Sequence, residues 1–143
     1  MNNATRGKIY NHKLYEQAKM LDNSGWNGVL PRKITPSDID LTFDNKGNVL
    51  FCDLKTWECN WDSMSYGQRF LYISILRLNP KRAFVAILHH KQPEDGQEID
   101  TAHDILSYQI VRCTEDGEIK VYPRRDGKNW VAFVSAWYKL NTN

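Results

Sequence analysis

The feature that most constrains the fold is the segment Val49–Lys55, whose sequence is VLFCDLK. Side chains alternate along a strand, so Val49 and Phe51 face one side of a sheet, while Leu50 and Leu54 face the other. A strand with apolar residues on both sides is typical of a sheet that is covered on both faces. We therefore expect this strand to lie centrally in its sheet.

The rest of the chain predicts helices and further strands around this one. Apolar periodicity, together with Gly, Pro and Asn punctuation, sets the expected boundaries. In chain order we expect a helix at Ile9–Asp22, a strand at Ile39–Phe43, a turn at Asp44–Asn48, the strand Val49–Lys55, a helix from an N-cap at Ser63 to about Leu78, a strand at Ala83–Leu88, a polar loop at Lys91–Asp100, strands at Ile105–Cys113 and Glu118–Tyr122, and a helix at Trp130–Leu140. This order indicates an α/β domain with a central mixed sheet flanked by helices.

Length and composition narrow the class of protein. A chain of 143 residues with 41% hydrophobic content is the size of one domain, and no repeat or linker divides residues 1–143. The three cysteines lack the spacing of a disulfide framework or a zinc site. Neither a signal peptide nor an apolar run of membrane-spanning length is present in the sequence, so we expect a cytoplasmic location and no membrane partner. The net charge of +2 neither requires nor excludes a polyanionic partner.

An acid and a base lie two residues apart near the end of the central strand. Alternation places Asp53 and Lys55 on one face of the sheet, with Cys52 and Leu54 on the other. Charged side chains are rarely buried, because moving a charge out of water is costly, so a charged pair in a strand that is covered on both faces is unusual. Asp53 and Lys55 are therefore candidates for a functional site.

Hairpin register brings a second aspartate to the same place. A two-residue turn at Lys46–Gly47, or a four-residue turn around it, pairs Phe43 with Leu50 and therefore Asp40 with Asp53. Directly opposite residues have Cβ atoms roughly 4.5 to 5.5 Å apart. Two carboxylates at this short distance need a shared proton or a cation between them. Mg²⁺ binds one or two carboxylates and leaves coordination sites for water and phosphate. This arrangement suits hydrolysis of a phosphodiester.

Two alternatives stay open on the residues alone. The same register places Asp38 opposite Lys55, and all four charges could be ordinary surface ion pairs at strand ends. A five-residue turn would instead put Asp40 opposite Cys52 and break the alignment.

These residues resemble the PD-(D/E)XK, or restriction-endonuclease-like, nucleases. The resemblance covers about residues 10 to 90 and rests on Pro36-Ser37-Asp38-Ile39-Asp40, a hairpin, and Asp53-Leu54-Lys55. Its specificity rises because Gln68-Arg69-Phe70-Leu71-Tyr72 looks like the Q-x-x-x-Y motif of the RecB and lambda-exonuclease branch.

The resemblance implies roles for individual residues. Asp40 and Asp53 would bind Mg²⁺ or Mn²⁺, Lys55 would assist the nucleophile, and Gln68 and Tyr72 would shape the site toward DNA phosphate. Asp38 is the rival for the first metal-binding aspartate. Members of the family also often carry a glutamate on the first helix, which makes Glu16 a candidate. Glu16 lies opposite the apolar stripe of that helix, so a solvated glutamate is an equally good interpretation.

Basic residues provide further candidates for contact with nucleic acid. Arg69 follows Gln68 on the helix, and Arg124, Arg125 and Lys128 form a small cluster in a predicted loop; each either contacts a DNA backbone or is simply solvated. His89 and His90 are expected to be structural residues at a strand end. The aromatic residues at helical spacing near the carboxyl end are expected to pack in the core: Trp130, Phe133, Trp137 and Tyr138.

The sequence thus predicts a magnesium-dependent deoxyribonuclease of the kind that phages or bacteria use for DNA processing. A single small domain has one active site, so paired cuts in a duplex favour a homo-oligomer, with a symmetric dimer preferred over a ring and endonucleolytic over exonucleolytic cutting. The alternatives are a catalytically silent module that binds nucleic acid or protein, and an RNase that uses the same site.

Overall fold

A computed structural model describes residues 39–140 of the chain. The predicted helix Ile9–Asp22, together with Glu16 and Asp38, lies outside these residues. Within them the structure contains six strands, two α-helices and two short 3₁₀ helices. Their bounds are β1 Leu41–Asn45, β2 Asn48–Lys55, a 3₁₀ helix Trp61–Ser63, α1 Tyr66–Leu78, β3 Ala83–His90, β4 Ile105–Cys113, β5 Ile119–Val121, β6 Arg125–Asp126, a 3₁₀ helix Gly127–Asn129 and α2 Trp130–Tyr138.

The strands form one mixed sheet in the order β1-β2-β3-β4-β5, and β6 pairs with the other end of β4. Only β2 and β3 run parallel, and α1 connects them. All other neighbours are antiparallel. The α/β class and the central mixed sheet are therefore confirmed. β2 lies between β1 and β3 inside the sheet, as its apolar residues on both parities predict.

The β1–β2 hairpin turns through two residues. Lys46 and Gly47 have positive φ angles of 52° and 86°, which is the pattern of a type I′ turn. Glycine adopts such angles without steric cost. The turn pairs Phe43 with Leu50 and Asn45 with Asn48, so the predicted register is confirmed within the hairpin.

Within residues 39–140, one helix packs against each face of the sheet. The face that packs against α1, hereafter the α1 face, carries the odd-numbered residues Phe51, Val85 and Ile87, which contact Tyr72 and Leu76 of α1. The opposite face, the α2 face, carries even-numbered residues, which pack on α2; they include Leu50, Cys52, Phe84, Ala86 and Leu88. Two covered faces explain why β2 is apolar between its polar ends, which are Asn48 at the start and Asp53 and Lys55 at the finish.

The aromatic residues of α2 are mostly core residues, as expected. Trp130 and Trp137 are buried, and the Trp130 ring stacks on Phe133 with centroids 5.9 Å apart. Trp130 also donates a hydrogen bond from Nε1 to the carbonyl of Thr101 at 3.0 Å. Tyr138 differs from the expectation, because it is 58% exposed at the end of the helix.

Other boundaries shift by a few residues. The predicted N-cap at Ser63 is wrong: Ser63 ends a 3₁₀ helix, and Ser65 caps α1 by accepting a hydrogen bond from the Gln68 amide at 3.4 Å. A serine at either position provides the same side-chain acceptor, so sequence alone did not separate them. Among the described residues, no helix is both long and apolar enough to cross a membrane.

Candidate active site

Asp53 is the centre of a buried polar network on the α1 face. Its position inside β2, between two neighbouring strands and beneath α1, leaves it 1% exposed. The Lys55 ammonium lies 3.1 Å from Asp53 Oδ1, and the Tyr72 hydroxyl donates a hydrogen bond to Oδ2 at 3.0 Å. A buried carboxylate requires such partners, because an uncompensated charge in the interior is costly.

Lys55 and Gln68 form the more exposed edge of this network. The Lys55 side chain is 20% exposed, and its ammonium donates a hydrogen bond to Gln68 Oε1 at 3.2 Å. Gln68 and Tyr72 lie four residues apart on α1, so they share one side of the helix. Both turn toward β2, where one contacts Lys55 and the other contacts Asp53. Both residues of the Q-x-x-x-Y pattern are thus in the network.

Asp40 joins the site from the other strand of the hairpin. The register ends at Leu41 paired with Cys52, and its continuation places Asp40 opposite Asp53. Asp40 immediately precedes β1, and its Oδ2 accepts a hydrogen bond from the backbone amide of Leu54 at 2.8 Å. This bond holds the Asp40 carboxylate against the end of β2, within one residue of both Asp53 and Lys55.

The electrostatics of two neighbouring side chains report both negative charges. Burial raises the pKa of the Tyr72 hydroxyl well above its usual range, and the charges of Asp53 and Asp40 raise it further. Burial likewise raises the pKa of the Cys52 thiol, again with contributions from Asp40 and Asp53. Tyr72 therefore stays protonated at neutral pH and remains a hydrogen-bond donor to Asp53.

The site offers two carboxylates to a cation. The described residues contain no group of three or more His, Cys, Asp or Glu side chains that could hold a metal ion. However, Mg²⁺ commonly uses only one or two protein carboxylates and completes its coordination with water and substrate phosphate. Asp53 Oδ1 lies near Lys55 but receives no aligned hydrogen bond from any residue between 39 and 140. This buried oxygen and the Asp40 carboxylate are a donor set that fits Mg²⁺.

The predicted basic cluster is split by the structure. Arg124 points inward: its guanidinium donates to Asn60 Oδ1 and Ser107 Oγ, each at 2.9 Å, and to the carbonyl of Cys59. Burial lowers the pKa of Arg124, while the nearby carboxylate of Glu58 opposes this effect.

The other basic candidates lie elsewhere. Arg125 lines a cavity with residues of the α2 face, and Lys128 is exposed in the second 3₁₀ helix. Arg69 is half-buried beside the network, with its guanidinium 5.9 Å from the centre of the Tyr66 ring. Arg69 thus lies on the helix that covers Asp53, Arg124 contacts residues on the same face of the sheet as Asp53, and Arg125 is separated from both.

Two polar residues that the sequence did not assign to the site, His89 and Ser107, lie beside it. Parallel pairing of β2 with β3 puts His89 next to Lys55, and antiparallel pairing of β3 with β4 puts Ser107 next to His89. The sequence shows His89 only as the polar end of an apolar run. Nothing in that pattern indicates which strand will lie beside it.

Comparisons of this chain with protein-family models, with curated proteins and with solved structures find no match.

Proposed function

We propose that this protein is a Mg²⁺-dependent nuclease that hydrolyses phosphodiester bonds in DNA. The observation that carries the proposal is the convergence of residues from three separate segments on one buried carboxylate. Lys55 lies 3.1 Å from Asp53 Oδ1, and Tyr72 donates to Oδ2 at 3.0 Å. Gln68 accepts from Lys55, and Asp40 is held at the neighbouring residue Leu54. These five residues are the ones that the PD-(D/E)XK resemblance implies.

Asp40 and Asp53 would hold the cation. When bound, Mg²⁺ supplies Lewis-acid activation of water and of the phosphate. The Lys55 ammonium, at the exposed edge of the site, is positioned to orient the attacking water and to offset negative charge that grows on the phosphate. Gln68 fixes the direction of this ammonium through its side-chain carbonyl.

Tyr72 acts through Asp53 and not on the substrate. It is fully buried, so its hydroxyl has no path to a bound nucleic acid. Its hydrogen bond fixes one oxygen of Asp53, which leaves the other oxygen turned toward Lys55. We therefore assign Tyr72 a positioning role.

The order of elements supports placing the chain in the restriction-endonuclease-like group. A β-hairpin that carries the two aspartates leads into a helix with the Q-x-x-x-Y residues, and this helix leads into a strand parallel to β2. This order is similar to the core that the resemblance implies for residues 10 to 90. The proposed dimer follows from the single active site of each chain, since paired cuts in a duplex need two sites. The proposed phage or bacterial DNA-processing role follows from the small size of the chain.

A second candidate function is a silent module that binds nucleic acid or protein on the same fold. The observation that favours it is that Asp53 is 1% exposed and already has Lys55 as a counter-ion. In a silent module this ion pair would be purely structural. The two candidates differ in whether a cation enters the site.

The test is cleavage of DNA by the purified full chain. Closed circular plasmid, linear duplex and single-stranded DNA are incubated with Mg²⁺, with EDTA, or with Mg²⁺ and the Asp53→Asn variant. Asp116→Asn is the matched control, because Asp116 is an exposed aspartate in the turn between β4 and β5. We expect cleavage that requires Mg²⁺, survives Asp116→Asn and is lost in Asp53→Asn.

The products separate the remaining alternatives. Nicked or linearised plasmid identifies an endonuclease, which we favour, whereas loss of linear duplex with intact plasmid identifies an exonuclease. An RNA strand of the same sequence tests the RNase alternative. DNA binding without cleavage under every metal condition would reject the nuclease and support the silent module.

A further inference from the structure

A row of hydrogen-bond donors extends from Lys55 across the sheet. Lys55 of β2 is paired with His89 of β3, and His89 is paired with Ser107 of β4. Alternation puts all three side chains on the α1 face, because Ile87 and Gln109, two residues away along their strands, contact α1-face residues there. Neighbouring strands lie about 4.8 Å apart, so the row spans about 10 Å.

The serine at the end of the row is oriented by Arg124. Arg124 Nη1 donates to Ser107 Oγ at 2.9 Å, so the serine oxygen is an acceptor in this bond, and its own hydrogen points elsewhere. Among residues 39–140, neither a second partner for this hydroxyl nor any hydrogen bond to the His89 ring is present. Both side chains are half-buried. Each therefore has a donor to offer to a ligand.

The charges around the row have both signs. The Lys55 ammonium lies 3.1 Å from Asp53 Oδ1, and Asp40 is held at the neighbouring residue Leu54, so Lys55 can attract a further anion only when a cation offsets these two carboxylates. The half-buried guanidinium of Arg124 lies behind Ser107. The opposite sign appears at the far end, where Asp126 of β6 is paired with Ser107 and accepts a hydrogen bond from the Lys128 amide. Glu58, which is mostly exposed, lies 3.6 Å from Arg124. With a cation on the two carboxylates, an anion is thus attracted to Lys55, and Asp126 limits it at the other end of the row.

We propose that Lys55, His89 and Ser107 form a subsite for the sugar-phosphate backbone of a DNA strand, beside the phosphate that is cut. This inference rests on the proposed function, because it takes the scissile phosphate to lie at Lys55. Phosphates of one strand recur about every 3.4 Å along a duplex axis and lie farther apart along the strand itself, so a row of about 10 Å reaches from the phosphate at Lys55 to a neighbouring phosphate. His89 and Ser107 donate to phosphate oxygens downstream or upstream of the cut, and Arg124 is the residue that positions Ser107.

The test measures DNA binding without relying on cleavage. Binding of a labelled 12-nucleotide single strand to the full chain is followed by fluorescence anisotropy in Ca²⁺ at fixed salt. A hydrogen bond to a charged group contributes enough that its loss weakens binding by about tenfold. We expect that loss for His89→Ala and for Ser107→Ala, and partial recovery for His89→Gln, which retains a donor. His103→Ala is the matched control, because His103 is an exposed histidine in the loop before β4.

A second strand, with every phosphate replaced by a neutral methylphosphonate, separates phosphate contact from a structural effect. The wild-type chain and both alanine variants should bind this strand equally weakly. Asp126→Asn is an independent test, because asparagine preserves the helix cap while removing the negative charge. This variant should bind the charged strand more tightly than the wild type. Unchanged binding in both alanine variants, or an equal loss for charged and neutral strands, would overturn the proposal. If the variants show the expected pattern but the wild type never cleaves DNA, the backbone contacts of His89 and Ser107 stand, while the nuclease and the scissile phosphate at Lys55 are rejected.

Discussion

Removing the charge of Lys55 should destabilise the protein far more when Asp53 is present than when it is absent. Lys55 is the cation in contact with a carboxylate that is 1% exposed. Lys55→Met keeps the length of the side chain but leaves Asp53 buried with only the Tyr72 hydroxyl as a described partner. Asp53→Asn removes the charge that needs compensation, so the double variant has no orphaned carboxylate.

The magnitude follows from the burial of the pair. Breaking a buried ion pair by removing one partner costs about 3 to 5 kcal/mol. Because the Lys55 side chain is 20% exposed and Tyr72 still donates to Asp53, we expect the lower end, about 3 kcal/mol, for Lys55→Met. In the Asp53→Asn background the same change should cost about 1 kcal/mol, mainly for the lost bond to Gln68. The coupling free energy is then about 2 kcal/mol.

Urea unfolding of the wild type, both single variants and the double variant measures this coupling. EDTA is included so that no cation replaces Lys55. With an m-value of about 2 kcal/mol per M, the midpoint of Lys55→Met should fall by about 1.5 M. Equal destabilisation by Lys55→Met in the two backgrounds would refute the ion pair as the reason for the burial of Asp53. The result also matters for activity assays, since an inactive Lys55 variant must first be shown to be folded.

Three further predictions concern other parts of the structure. Burial raises the pKa of the Tyr72 hydroxyl, so above pH 10 the unfolded chain loses this proton while the folded chain keeps it. Between pH 10 and pH 11.5 the stability of the wild type should therefore fall more steeply than that of Tyr72→Phe, by a difference that rises toward about 1.4 kcal/mol per pH unit. Equal slopes in urea titrations would contradict the buried, neutral hydroxyl. Gly127→Ala should destabilise the fold by about 3 kcal/mol or more, because a Cβ there would collide with the backbone carbonyl of Ile105. Gly67→Ala in α1 meets open space and should stabilise the fold by about 0.5 kcal/mol. Thermal melts of the two variants distinguish these outcomes. Paired cutting of a duplex predicts a dimer in light scattering, and a monomer that linearises plasmid in one encounter would refute this.

The hairpin and its two aspartates could be predicted from the sequence for a local reason. Gly47 favours a tight turn, and a two-residue turn fixes the pairing of every later residue in the hairpin. Asp40 lies six residues before Lys46 and Asp53 lies six residues after Gly47, so their juxtaposition follows from local geometry. The spacing of Gln68 and Tyr72 is equally local, since any two residues four apart share a helix face.

The features that sequence reasoning missed depend on contacts between distant segments. The pairing of Lys55 with His89 depends on where α1 returns the chain to the sheet, and no local pattern states that register. The inward direction of Arg124 depends on acceptors at Cys59 and Asn60, more than 60 residues earlier in the chain. A basic residue in a loop is usually solvated, and here tertiary acceptors override that expectation.

Anomalous diffraction from crystals soaked in Mn²⁺ tests whether Asp40 and Asp53 hold a cation. We predict a peak between the carboxylates of Asp40 and Asp53, and no such peak in Asp53→Asn crystals. Asp116→Asn crystals, grown and soaked under the same conditions, are the control: they lack one exposed aspartate and should keep the peak. A wild-type crystal whose Lys55 still contacts Asp53, with no anomalous peak at either Asp40 or Asp53, would contradict a metal-dependent site.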